Sequence, residues 1–533
     1  MKIQQFKKRG GLLMNSDRKP IGRVVSLKER PVSISSIYVK LNNEDATYRF
    51  EMLEAEEEID ANLKYVYVLR VVDILMHSPM ASPESITIKE EILQEEPEPQ
   101  ELMGHVLAYT AVKTELVDVV EVTGNNAKVI GPRKVPKPGT PVFRMSNVGL
   151  RALVGKQEEP IVIGELIGTN VPVAIDVQKL TRHALIVGTT GTGKSWLRGV
   201  ILERLHERGV PQLIFDPLKD YVRAVEKLGG INLVYGRNFL PPFHALSTGT
   251  FRLLVEDVLT PLQQAIAVRA FERFKEDIVK GKLTDCNPYN LLTYIERVAK
   301  DLRAREDTKE NVMARVESLL RELGYPENTG KGLYKFYKDE KSPVILTSDK
   351  LAKLINKYLL INLDLSELSD IQFQVAVATI LEDVIRLRKA GKIDPIIVSF
   401  DETHRIAPRI RSGSRVPPSL HVIRNLIRYG RHYGIGVIAI TQFPNSVDVE
   451  LVRLPSLRFI FALDADQLDA IGGIIGDLPS EIKAYLPKLE QGTAFMSGTA
   501  DVVRHTLYVR ITKERTTPHG GETPKFIVRR RDR

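Results

Sequence analysis

The chain has 533 residues, 43% of them hydrophobic and 27% charged, with a formal net charge of +9. At roughly 150 residues per domain this is about three folded units of ordinary globular composition, and a positive balance permits a polyanionic partner without requiring one. A single cysteine, Cys286, excludes an intrachain disulfide and a multi-cysteine zinc site and suits a reducing cytoplasm; no charge-free apolar run of 18 residues marks a membrane span, and the start carries no signal-peptide core.

Residues 1–17 read as a basic tail, with Lys2, Lys7, Lys8 and Arg9, and the C-terminus ends on Arg529, Arg530, Arg531 and Arg533. Such ends either solubilise the chain or touch nucleic acid. Over 18–150 the signals are short β runs, at 24–27, 32–41, 65–76 and 105–122, which predict a small β-barrel or sandwich. The acidic stretch 90–101 interrupts it as a solvated loop, and PKPGT at 136–140 closes it as a linker. Beyond Gly164 apolar runs alternate with amphipathic helices, the pattern of a parallel sheet with crossover helices. The buried-strand candidates are 184–187, 212–215, 359–364, 396–400, 436–440 and 458–463. They lie in two stretches, 151–249 and 346–500. Between these, 250–345 predicts a helical insertion, with faces at Leu262, Ile266, Ala270, Phe274 and Ile278, then Leu291, Ile295, Val298 and Leu302, then Val312, Val316, Leu319 and Leu323. Residues 501–533 form a C-terminal extension.

Residues 188–195 read GTTGTGKS, a full match to the phosphate-loop pattern, after the strand ALIV and before the helix-like WLRGVILERL. Gly188, Gly191 and Gly193 let the backbone of Thr189, Thr190 and Thr192 curl toward phosphate oxygens, and the N-terminus of the next helix adds its dipole. Lys194 would reach the β and γ phosphates, Ser195 would ligate Mg²⁺, and Trp196 flanks the pocket. A dinucleotide fold is the rival, but GxGxxG from Gly191 would need a small residue at Trp196.

PIIVSFDE at 395–402 delivers two carboxylates at a strand end. Asp401 would hold the Mg²⁺ shell and Glu402 would activate water as the hydrolytic base. Gln442, ending GVIAITQ, would sense the γ-phosphate, and Asp216, ending LIFD, would face the nucleotide unless it only caps the following turn. Arg405, Arg409, Arg411 and Arg415 stand in a Gly/Ser/Pro-containing stretch suited to gripping DNA phosphates or simply to solvent. Arg428 and Arg431 are candidates for a finger inserted from a neighbouring subunit, or else serve a helix C-terminal dipole or a salt bridge. The histidines show no metal-ligand spacing, so a satisfied structural role is expected for each.

Taken together these residues resemble the HerA family of hexameric DNA-translocating ATPases, relatives of the FtsK-type pumps. IGRVVSL at 21–27 and VPKPGTPV at 135–142 are similar to the ends of the family's N-terminal HAS-barrel. The run 163–195, FDPLKDY at 215–221 and IRYGRHYGIGVIAITQFP at 427–444 resemble its motor, and LPKLEQGTAFMSG at 486–498 with ERTTPHGGETP at 514–524 its last strands and C-terminal brace. The motif DETH at 401–404 departs from the family's usual Ala at position 403 but keeps both carboxylates. The resemblance implies a RecA-like α/β core, a homo-hexamer threading double-stranded DNA, a brace reaching a neighbour's ATP site, and barrels that dock a NurA-type nuclease during double-strand break end processing. The rival readings are a nucleotide-switched scaffold and a conjugation-type pump.

Overall fold

The structure, a computed structural model, describes residues 18–26, 31–42, 47–77, 109–124, 126–256, 258–283, 287–325, 344–410, 416–474 and 482–518. The N-terminal tail, the acidic stretch 90–101, Cys286, Arg411, Arg415, the HGGETP motif and the terminal arginines lie outside them. Contacts divide the chain into two compact units, one holding residues 1–157, 162–174 and 494–511 and the other 158–161, 175–493 and 512–533. Residues 162–174 and 494–511, expected with the α/β core and the C-terminal extension, therefore cluster with the barrel.

In the first unit β1 (Gly22–Val25), β2 (Ile37–Leu41), β3 (Met52–Glu58), β4 (Leu63–His77), β5 (Tyr109–Thr123), β6 (Asn126–Val129) and β7 (Pro141–Arg144) follow the order β2-β1-β7-β3-β4-β5-β6. A further pairing of β2 with β5, from Ile37↔Thr114 to Lys40↔Ala111, closes six of them into a barrel and leaves β6 as a hairpin extension. Val39, Leu53, Tyr67, Leu69, Val112 and Val119 fill it. The strand β3 reads MLEAEEE and gives no sequence signal, because its Glu54 is buried yet fully used: it accepts from the Ser146 backbone and hydroxyl and from Gly149 N, and pairs with Arg18 at 2.9 Å. Buried carboxylates with such partners escape a period-two hydropathy test. Also here, β8 (Pro160–Leu166) runs antiparallel to β20 (Leu507–Ile511) through Val509↔Leu166, alongside β9 (Pro172–Asp176) and β19 (Thr493–Gly498).

The second unit carries β10 (Ala184–Val187), β11 (Gln212–Asp216), β12 (Ile231–Val234), β15 (Leu360–Asp364), β16 (Ile396–Phe400), β17 (Ile435–Thr441) and β18 (Leu457–Ile460), in the order β12-β15-β11-β16-β17-β10-β18. All neighbours are parallel. Such strands are covered on both faces and so read as continuous apolar runs, which is why six were legible, while β12, INLV at the edge, was not. A short parallel pair, β13 (Phe239–Leu240) with β14 (Val344–Ile345), brackets the insertion. The insertion contains the helices Thr248–Val255, Pro261–Val279, Asn290–Asp301 and Glu306–Glu322, whose buried faces include Ile266, Phe274, Ile295, Val298, Val312 and Val316. Leu262 and Leu302, counted on those faces from spacing, are exposed.

Candidate active site

Strand β10 ends at Val187, and the loop 188–193 turns its chain into the helix Lys194–Glu207. Two turns of this loop require glycine: Gly191 has φ 79° and Gly193 has φ 122°. At Gly188 a Cβ would stand 2.6 Å from Phe461 Cβ. Gly193 is the helix N-cap and no side chain caps the first turn, which leaves its N–H groups for a ligand. Thr192 Oγ1 donates to Thr189 O at 2.8 Å, and Gln491 Nε2 donates to Gly191 O at 2.8 Å, so the loop is braced from within and from outside. Lys194 is buried and donates to Thr189 O at 2.7 Å. Burial pulls its pKa down to about 8, against the pull of Asp401 and Glu402.

The two carboxylates follow β16 directly. Asp401 Oδ2 accepts from the Tyr221 hydroxyl at 2.9 Å and Oδ1 from Glu402 N at 2.9 Å. Burial, and then the neighbouring Glu402, push its pKa up to about 6. Glu402 sits at φ 46°, ψ 51°, a left-handed conformation unusual for a side chain of its size and of a kind concentrated at functional sites. Its Oε1 accepts from Gln442 Nε2 at 2.7 Å; its Oε2 is buried and accepts no hydrogen bond, although His404 Nδ1 lies 3.2 Å away. Gln442 Oε1 in turn accepts from Thr190 Oγ1 at 2.5 Å. A continuous chain, Thr190 to Gln442 to Glu402, thus links the phosphate loop to the ends of β17 and β16, which the sheet order places side by side.

Asp216 takes the capping alternative. Its carboxylate accepts from the backbone N–H groups of Leu218, Asp220 and Tyr221 at 3.1, 3.1 and 3.0 Å and from Asn362 Nδ2 at 3.3 Å. It is wholly buried and caps the turn after β11. Trp196 is likewise occupied: its indole N–H donates to Thr512 O at 2.8 Å and its ring carries the Arg515 guanidinium 5.2 Å from the centroid. Arg428 is exposed and pairs with Glu450 through Nε at 2.7 Å, and Arg431 is exposed in the turn that follows. Arg405 bonds Asp370 at 3.1 Å and covers the Phe373 ring, while Arg409 is exposed.

Three contributors escaped sequence reasoning. Tyr221 holds Asp401, as described. Arg198, fully buried one turn beyond Lys194, donates to Ser399 Oγ on β16 at 2.7 Å; a lone arginine inside an otherwise apolar helix stretch was the available signal. Thr403 Oγ1 donates to Ile440 O at 2.8 Å and accepts from Ile440 N at 3.0 Å, which pins the carboxylate turn to β17. Among the described residues no group of three or more His, Cys, Asp or Glu could hold a metal. The hard oxygens of Ser195 and Asp401 nevertheless suit Mg²⁺, which keeps waters and takes phosphate oxygens for the rest of its shell.

A family model described as "Helicase HerA, central domain" matches residues 161–384. The DNA double-strand break repair helicase HerA of Sulfurisphaera tokodaii is 28% identical over 412 residues, covering 73% of this chain and 76% of that protein. The protein of the same name from Pyrococcus furiosus is 24% identical over 482 residues, covering 76% and 81%. Among solved structures, VirB4 of Thermoanaerobacter pseudethanolicus superposes with a TM-score of 0.51 at 16% identity, over 67% of this chain and 98% of that one, a likeness of fold. With its parallel sheet, glycine-rich loop and closed N-terminal barrel, the chain is similar to the HerA helicases, and its residues 161–384 match the central domain of that family.

Proposed function

We propose that this chain is an Mg²⁺-dependent ATPase that moves along double-stranded DNA and serves double-strand break end resection. The observation that carries the reading is the Thr190–Gln442–Glu402 chain, which ties the phosphate loop to a carboxylate whose second oxygen accepts no hydrogen bond among the described residues. The amides of 188–193 and the first helical turn receive the triphosphate, and Lys194 exchanges Thr189 O for phosphate oxygens. Mg²⁺, held by Ser195 and Asp401, supplies charge neutralisation when bound. Glu402 takes a proton from the attacking water through Oε2; the water oxygen bonds to the γ-phosphorus as the β–γ bridging bond breaks, and ADP leaves with inorganic phosphate. Gln442 orients Glu402 and reports loop occupancy through Thr190.

The relatives' names and the basic balance of the chain support the part of the reading that concerns DNA, and the family resemblance of the sequence supports the rest. It is a cytoplasmic homo-hexamer with ATP between subunits, Arg428 or Arg431 acting in trans, and DNA phosphates meeting Arg405, Arg409, Arg411 and Arg415. The barrel docks a NurA-type nuclease. Among the described residues no helix is long and apolar enough to cross a membrane. The test is phosphate release by purified chain with Mg²⁺, with and without duplex ends. DNA-stimulated release is expected, and Glu402→Gln should keep ATP binding while lowering turnover by about 10²–10⁴-fold, the usual worth of a general base. A wild-type chain that releases no phosphate, or a Glu402→Gln variant of undiminished rate, sinks the reading.

A further inference from the structure

The helix that opens on Lys194 has a second face that nucleotide chemistry does not use. Trp196, Gly199 and Glu203 stand at spacings of three and four along it, and so share that face. Residues 512–518 lie against it. The Glu203 carboxylate, 2% exposed, accepts from Thr516 N at 3.0 Å and also from Thr517 N and Oγ1. Arg515 lies above Gly199: it donates to Ser195 O at 3.3 Å, to Thr517 Oγ1 at 3.0 Å and to Pro518 O at 2.9 Å, and it covers the Trp196 ring. Only glycine admits it there, since a Cβ at position 199 would stand 2.1 Å from Arg515 Cζ. The Trp196 indole closes the seam on Thr512 O, and Lys227 Nζ donates to Thr516 O.

We infer that Thr512–Pro518 is a strap docked on the back of the phosphate-loop helix, and that Arg515 and Glu203 are positioning residues which couple strap docking to nucleotide binding. The coupling runs through one helical turn. Arg515 holds the carbonyl of Ser195, whose hydroxyl faces the Mg²⁺ shell in the reading above, on which this inference rests. Occupied phosphates fix that first turn, and a fixed turn offers the strap its partners in register. Linkage is reciprocal: whatever factor ATP adds to strap docking, the strap adds to ATP affinity.

The experiment uses the full chain and two probes already in it. Trypsin can cut at Lys513 and Arg515, so release of fragments beginning at Glu514 or Thr516 measures undocking. Trp196 is the single tryptophan of the chain, so its emission reads the same seam. With a non-hydrolysable ATP analogue and Mg²⁺, wild-type cleavage at these two sites is expected to slow about tenfold and Trp196 emission to shift, an effect within the usual range of coupling between sites. Glu203→Gln should speed cleavage and weaken analogue binding, measured with a fluorescent nucleotide, by a matching factor of about ten. Should that variant not fold, Thr517→Val removes one donor and is expected to move both quantities together by about threefold. Equal wild-type cleavage with and without bound analogue overturns the inference, as does a variant that undocks the strap yet binds nucleotide as tightly as wild type. Failure of the nucleotide reading shows itself separately, as no analogue binding by the wild-type chain.

Discussion

His183 lies at φ 66° between the turn 177–182 and β10, with both ring nitrogens used: Nδ1 accepts from Val437 N at 3.1 Å and Nε2 therefore carries the proton toward Ile427 O at 3.0 Å. Burial lowers its pKa to about 4 against the opposing pull of Ile427. A histidine lowered in the folded state is protonated first in the unfolded chain, so stability is complete above the ordinary value near 6.5. It is lost as the pH falls from there toward 4, by about 3 kcal/mol in all. Urea unfolding between pH 7 and 4 should show this loss in wild type and a flatter profile in His183→Gln; parallel profiles would contradict it. The residue scale also shows where reading the sequence stops. Lys194, Asp401, Glu402 and Gln442 stand out in the sequence because each follows a strand or opens a helix within a phosphate-loop pattern, and the structure places them at those positions. Asp216 ends a strand in the same way and does something else, because three backbone N–H groups of its own turn reach it first. No spacing rule separates the two cases; only the fate of the turn does.

At the scale of elements, the crossing of β17 over the turn 177–182 depends on a missing side chain. A Cβ on Gly436 would meet Leu180 O and Ile397 Cδ1, both at 2.6 Å, and a backbone oxygen cannot step aside. Gly436→Ala should therefore destabilise the chain by roughly 1–3 kcal/mol, the range for forced overpacking, read as a lowered Tm. The control is Gly473→Ala, where nothing among the described residues lies within 4 Å and no shift is expected. Elements differed sharply in how legible they were. The central strands of the parallel sheet, covered on both sides, stood out as apolar runs. Helices of the insertion were legible from their three-and-four spacing, although that spacing could not say that Leu262 would lie outside the packed face. The acidic β3 was hidden because its Glu54, and Glu51 just before it, are buried against partners that include residues more than ninety positions away, Ser146 for Glu54 and Arg144 at 2.8 Å for Glu51. The strap was hidden for a related reason: its partners on the helix are some three hundred residues earlier in the chain.

At the scale of the whole molecule the proposed ring makes a prediction that single chains cannot satisfy. A Lys194→Ala subunit has an impaired pocket and intact surface arginines, while an Arg428→Ala,Arg431→Ala subunit has the reverse. If the arginines serve a neighbour's pocket, mixing the two inactive proteins should restore phosphate release to a measurable fraction of wild type, since some interfaces then combine a sound pocket with a sound arginine. A mixture no more active than its components would place the arginines elsewhere, for instance solely in the surface pair of Arg428 with Glu450.

The position of β10 between β17 and β18 also bears on how this protein is made. The glycine-rich turn leaves the ribosome early, but the two strands that flank β10 emerge some 250 residues later, along with the glutamine that bridges Thr190 to Glu402. During synthesis the half-made polypeptide holds an unpaired apolar strand and a loop braced only from within, by Thr192 on Thr189, and parallel pairing across such a separation is slow to form and leaves apolar surface open to aggregation meanwhile.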